Sequence, residues 1–109
     1  MSTRRSKTSS DQLVVRWIEE FLSHARAERG LSGNTLAAYR RDLELWRRFC
    51  AARRVDPGAA HPDDVTEYLE RLRAGRPPAS KPLAASSVAR ILVSLRSLYR
   101  FLVTEGHVA

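Results

Sequence analysis

The sequence predicts an all-α protein, a compact bundle of four helices, on three observations. Between Asp11 and Glu105 the apolar residues recur at spacings of three and four, not at the alternation of two that a half-buried strand requires. Glycine and proline punctuate the chain at Gly30, at Pro57 and Gly58, from Gly75 to Pro82 and at Gly106, which leaves four stretches with no glycine or proline beyond their first turns. The length, 109 residues, supports one hydrophobic core rather than two domains with a cleft between them.

Each element follows in order. Residues 1–10, MSTRRSKTSS, are polar and basic and read as a disordered tail, leaving 11–109 as the folded domain. Val14, Trp17, Ile18, Phe21, Leu22 and Ala25 form one stripe of a first helix, about 11–29, with Asp11 as its N-cap and Gly30 as its stop. Ser32 caps a second helix, about 33–54, whose stripe is Leu36, Tyr39, Leu43, Trp46 and Cys50 and which ends before the turn Asp56-Pro57-Gly58. Pro62 in a first turn, with Asp63 and Asp64 near the positive end of the dipole, starts a third helix, about 62–74, with Val65, Tyr68, Leu69 and Leu72 inward. Residues 75–83, rich in proline, read as a flexible loop. The fourth helix, about 85–105, buries Val88, Ile91, Leu92, Leu95, Leu98, Tyr99 and Leu102. Phe101 lies off that stripe, so it either folds under the last residues or meets a partner domain.

Composition narrows the function. The formal charge is +7, and 17 of the 19 basic residues are arginine, the side chain that grips phosphate with a rigid fork, so an acidic partner and nucleic acid first is expected. No apolar run is long enough to span a bilayer, and there is no signal-peptide segment, so no membrane is expected and the compartment is read as cytoplasmic. Cys50 is the single cysteine and sits on an apolar stripe. His24, His61 and His107 fall on separate elements, so neither a disulfide framework nor a metal site is expected.

Charge is unevenly shared. Residues 32–54, with six arginines against Asp42 and Glu44, carry +4, and residues 83–109, with three arginines against Glu105, carry +2. Residues 55–75 carry −3 and residues 11–30 carry −1. Helices two and four are thus the basic ones. On a helical wheel Arg41 and Arg48 stand opposite the stripe of helix two, with Asn34 alongside and Arg40 and Arg47 flanking. The ordinary alternative is a solvated face in which these arginines pair with Asp42 and Glu44. In helix four the outward face is Ser86, Arg90, Val93, Ser97 and Arg100, with Ser87 and Ser94 at its edge, and no acid stands between Leu83 and Thr104. Short hydroxyl side chains beside arginines let a helix lie close in the major groove, where serines donate to phosphates and arginine reaches base edges or phosphates. Ser32, Asn34 and Thr35 supply a donor-rich helix start suited to a phosphate.

The stretch ERGLSGNTLAAYRRDL, followed by SSVARILVSLRSLYRFLVTEG, resembles the N-terminal core-binding domain of bacterial tyrosine recombinases and integrases, the XerC/XerD branch in particular, over about residues 12–107. The resemblance implies a SAM-like bundle of four helices whose second and fourth helices enter the major groove of double-stranded DNA. By motif position it maps DNA contacts onto Ser32, Thr35, Arg41, Ser86, Ser87, Arg90 and Ser94. Gly33 departs from the family's preference for a better helix former, so a loose start to helix two is expected, and the proline-rich loop is longer than in many members.

The same resemblance implies that an intact protein would exchange DNA strands through a phosphotyrosyl intermediate, without metal or nucleotide cofactor, and would work with another recombinase protomer in chromosome dimer resolution or integration. The catalytic Arg, Lys and His residues and the tyrosine nucleophile have no counterparts among these residues. This chain alone is therefore expected to bind DNA as a monomer without cutting it, the catalytic domain being absent. A helical protein-interaction module and a small stand-alone DNA-binding regulator are the alternatives.

Overall fold

A computed structural model describes the backbone of residues 2–109 and the side chains from residue 10 onward. Four α-helices follow one another: α1 (Ser2–Arg29), α2 (Gly33–Arg53), α3 (Pro62–Ala74) and α4 (Ala85–Thr104), with a 3-10 turn at Pro57–Ala59. The helices end where the punctuation predicts. Gly30, Gly75 and Gly106 all adopt positive φ, the left-handed turn that glycine enters without a Cβ penalty.

α1 corrects the expected boundary. It starts at Ser2, so the segment read as a disordered tail is helical from there, Met1 lying outside the described residues. No glycine or proline separates Ser2 from Asp11, and polarity alone does not stop a helix from propagating. Asp11 is consequently interior rather than an N-cap, and its carboxylate accepts from Arg47 on α2 at 2.8 Å. The expected flexible loop 75–83 is tied down as well. Leu83 donates its backbone N–H to the Leu72 carbonyl at 3.1 Å, Arg71 reaches the Pro77 carbonyl at 3.3 Å, and Ala79 is buried.

The core is one cluster to which all four helices contribute. Every residue of the predicted α1 stripe is buried, as are Tyr39, Leu43, Trp46 and Cys50 of α2, Tyr68 and Leu72 of α3, and Val88, Ile91, Leu95, Leu98 and Leu102 of α4. Trp46 stands at its centre. Its ring lies 5.1 Å from Tyr68 and 5.5 Å from Phe49, and its indole N–H donates to the Tyr99 hydroxyl at 3.2 Å. Stacked and edge-on aromatic contacts of this kind add to area burial, and the polar atoms they bring inside are all satisfied among the described residues. Phe101 follows neither expected alternative: it packs onto α1, with its ring 5.8 Å from Phe21 and 5.1 Å from His24.

Ion pairs at Glu19–Arg40 and Asp11–Arg47 run α1 antiparallel to α2. On the other flank α2 meets α4 through Asp42 with Arg90 and through Trp46 with Tyr99. The two basic helices are therefore direct neighbours.

Candidate nucleic-acid interface

α2 sorts its arginines by direction. Arg40 turns toward α1 and Glu19, Arg47 donates to Glu44 at 2.6 Å as well as to Asp11, and Arg53 lies 3.0 Å from Glu67 on α3. These three serve helix–helix contacts, so Arg40 belongs to the α1 flank and not to the face shared with α4. Arg41 and Arg48 are exposed, and neither has a carboxylate within ion-pair distance among the described residues. Glu44, held below the ordinary carboxylate range chiefly by its hydrogen bonds from Arg47, is committed elsewhere. The solvated-pair alternative thus describes Arg47 directly and Arg48 through its charge near Glu44, while Arg41 has no ion-pair partner among the described residues.

α4 shows the same division. Ser86, Arg90, Val93, Arg96 and Arg100 are exposed, whereas Ser87 and Ser97 are half-buried. Arg96 is exposed as well, but by helical spacing it stands about 120° round α4 from Arg90, on the side away from Ser94. Arg96 and Arg100 have no ion-pair partner among the described residues. Ser94 corrects the expectation of a DNA contact. It is 0% exposed, its hydroxyl donates to the Ile91 carbonyl at 2.8 Å, and it lies 3.4 Å from Asp42 Oδ2. A side chain this enclosed packs α4 against α2.

Arg90 and Asp42 form the join between the basic helices. Asp42 is 2% exposed, and its two oxygens accept from Arg90 Nε at 3.1 Å and Nη2 at 2.8 Å. The Arg90 side chain remains 48% exposed. The junction therefore opens to solvent at Arg90, and the outward arcs of α2 and α4 flank that opening. At the start of α2 the Ser32 hydroxyl accepts from the Thr35 backbone N–H at 3.2 Å and donates to Thr35 Oγ1 at 3.1 Å, so Ser32 serves the cap while the Thr35 hydroxyl acts there only as an acceptor, and Asn34 is exposed.

The other candidate chemistries resolve into structure. Asp64 accepts from the His61 backbone N–H at 2.9 Å while His61 Nδ1 accepts from the Asp63 N–H at 3.1 Å, which closes the cap of α3. Among the described residues no group of His, Cys, Asp and Glu is arranged to hold a metal, and no helix is long and apolar enough to cross a membrane. Tyr68 donates to the Asp42 carbonyl at 3.4 Å and Tyr99 to the Pro57 carbonyl at 2.5 Å, with burial holding both phenols above their ordinary range. Tyr39 packs with its ring 6.4 Å from Phe21.

Comparison with known proteins agrees with this architecture. The tyrosine recombinase XerD of Mycobacterium tuberculosis is 38% identical over 91 residues, which take in 82% of this chain and 29% of that protein. XerD of Rhizobium meliloti is 42% identical over 90 residues, 83% of this chain and 27% of that protein. XerC of Chlorobaculum parvum is 33% identical over an alignment that spans the whole chain and 33% of that protein. The chain thus spans about a third or less of the length of these relatives. No solved structure matches it significantly. The phage integrase N-terminal SAM-like domain matches residues 18–106, and with its four-helix fold the chain belongs to that family.

Proposed function

We propose that this chain is a DNA-binding module, the N-terminal domain of a Xer-like tyrosine recombinase, that lays the outward arcs of α2 and α4 into the major groove. The observation that carries the reading is the set of four exposed arginines, Arg41, Arg48, Arg96 and Arg100, that face out from two adjacent helices with no carboxylate partner among the described residues. Uncompensated guanidinium groups on a solvent face are costly to crowd together and are offset when phosphates arrive. Ser86 and Asn34 add short donors at the starts of the two helices.

In a longer protein of this family the module would hold one side of a recombination site for a catalytic domain, with a second recombinase protomer as partner, in chromosome dimer resolution or integration. Its own contribution is binding and register, in the cytoplasm and as a monomer. No catalytic step is assigned to its tyrosines, whose positions are explained by packing. A nicked suicide substrate should yield no covalent adduct with the isolated chain, and an adduct on Tyr39, Tyr68 or Tyr99 would refute this assignment.

Salt dependence tests the reading directly. Binding to duplex DNA should weaken steeply between about 50 and 200 mM salt, and Arg41→Ala or Arg48→Ala should each make the slope of log K against log salt shallower by about 0.9. Salt-indifferent binding, or slopes unmoved by both substitutions, would favour a protein-interaction module.

A further inference from the structure

We propose that Arg90 reads a guanine edge rather than a phosphate, and that the buried Asp42 is the positioning residue that makes it a base reader. The inference rests on the DNA-binding reading above and adds a division of labour among its arginines.

The geometry separates Arg90 from Arg41, Arg48, Arg96 and Arg100. A guanidinium carries five N–H donors in a fixed plane. Asp42 takes two of them, on the Nε and Nη2 side, through a parallel fork at 3.1 and 2.8 Å. Both N–H groups of Nη1 and one of Nη2 are left, and these form the outer end of the fork on a side chain that stays 48% exposed. Asp42 itself is enclosed. It is 2% exposed, Ser94 closes over it at 3.4 Å, and its backbone carbonyl accepts from Tyr68. The guanidinium plane is therefore fixed by the fold before any ligand arrives, and little rotamer freedom remains to be lost on binding.

Charge decides what that fork fits. The Asp42–Arg90 pair is neutral as a unit, and its buried carboxylate repels a phosphate approaching the same arginine. A guanine presents two acceptors, O6 and N7, on one major-groove edge and carries no net charge, so it matches the free end of the fork without that repulsion. The four arginines lacking a carboxylate supply the phosphate contacts. Arg90 supplies base discrimination and contributes nothing to the salt slope.

The test starts from duplexes that the wild-type chain itself selects from a randomised pool. The selected sequences should share a fixed guanine, and replacing that base by 7-deazaguanine, which removes only the N7 acceptor, should weaken binding about tenfold. Asp42→Asn should release the Arg90 charge, so the salt slope should steepen by about 0.9 while the penalty for 7-deazaguanine shrinks. The double variant Asp42→Asn, Arg90→Ala carries no buried charge and keeps the fold testable. It should match the wild-type slope yet ignore 7-deazaguanine. A pool without a fixed guanine, indifference of the wild type to the replacement, or a double-variant slope shallower by about 0.9 would overturn the inference while salt-sensitive binding left the DNA reading standing. Absence of salt-sensitive binding to any duplex would overturn both.

Discussion

Cys50 shows how burial alone sets a side chain's chemistry here. It is 2% exposed, and desolvation, with smaller contributions from Asp64 and Asp56, pushes its thiol up to about 12. The folded state thus prefers the neutral thiol. Its contribution to stability is complete below the ordinary value of 9.0 and is lost as pH rises from there toward 12. Urea midpoints should accordingly hold steady to about pH 9 and decline above it, with the raised phenols of Tyr68 and Tyr99 acting in the same direction. Iodoacetamide should label Cys50 only at the rate at which the domain opens; rapid labelling of native protein at pH 8 would contradict the burial. Leu98, at 0% exposure, gives the complementary case, and Leu98→Ala should cost about 2–5 kcal/mol in chemical denaturation, against under about 0.5 kcal/mol for Val93→Ala on the outward face. Such positions were legible in the sequence because an apolar residue at helical spacing has few places to go. Asp42 was not legible. An acid in a basic helix reads as solvated, and only the arrival of Arg90 from 48 residues away explains its burial.

The helix ends are fixed by local chemistry that the sequence carried in part. Pro62, Asp63 and Asp64 announced the start of α3, but the cap itself is His61, a residue type whose Nδ1 can accept only when unprotonated. Asp64→Ala should remove the reciprocal half of this capping box and lower stability by about 0.5–2 kcal/mol, read as a fall in melting temperature. Glycines at the ends behave in opposite ways. At Gly75 φ is +74, and a Cβ would lie 2.5 Å from the Pro82 nitrogen, so Gly75→Ala combines backbone strain with a clash against the loop that packs Ala79 and should destabilise by more than about 1 kcal/mol. Gly33 opens α2 with nothing within 4 Å of its virtual Cβ and no positive φ, so Gly33→Ala should stabilise by about 0.4–1 kcal/mol. A melting temperature lowered by Gly33→Ala would show that the start of α2 needs glycine for a reason other than looseness. The loop at 75–83 and the extension of α1 escaped sequence reading for a common reason. Both depend on hydrogen bonds and continuity that composition does not encode, whereas a proline-rich run and a polar run look flexible whether or not something holds them.

Along α2 and α4, acidic side chains are spent on internal joins while several arginines stay exposed without an ion-pair partner among the described residues. Glu19, Asp11 and Glu44 engage Arg40 and Arg47, Glu67 holds Arg53 and Arg71, and Asp42 holds Arg90, while Arg41, Arg48, Arg96 and Arg100 keep their charge. The segment charges foretold which helices would be basic, since burial of their apolar stripes obliges the rest to face out. They could not foretell which arginines would pair, because pairing depends on how neighbouring helices are placed. The distribution bears on how tightly these 109 residues can hold DNA by themselves. Docked as proposed, these helices would meet one side of a duplex and leave the opposite side free, and contacts to phosphates fix orientation while carrying little sequence information. When a second DNA-binding domain is joined by a linker, its contact becomes effectively intramolecular and can raise affinity by about 10² or more. The chain alone lacks that gain in any assay, and its affinity should lie near the non-specific range of about 10⁻⁴–10⁻⁶ M at physiological salt. The guanine preference argued for Arg90 would then raise binding to a selected site about tenfold over scrambled duplex, a difference resolvable by fluorescence anisotropy. Nanomolar, strongly selective binding would instead mean that these two helices form a self-sufficient operator-binding surface, and the regulator reading would displace the recombinase module.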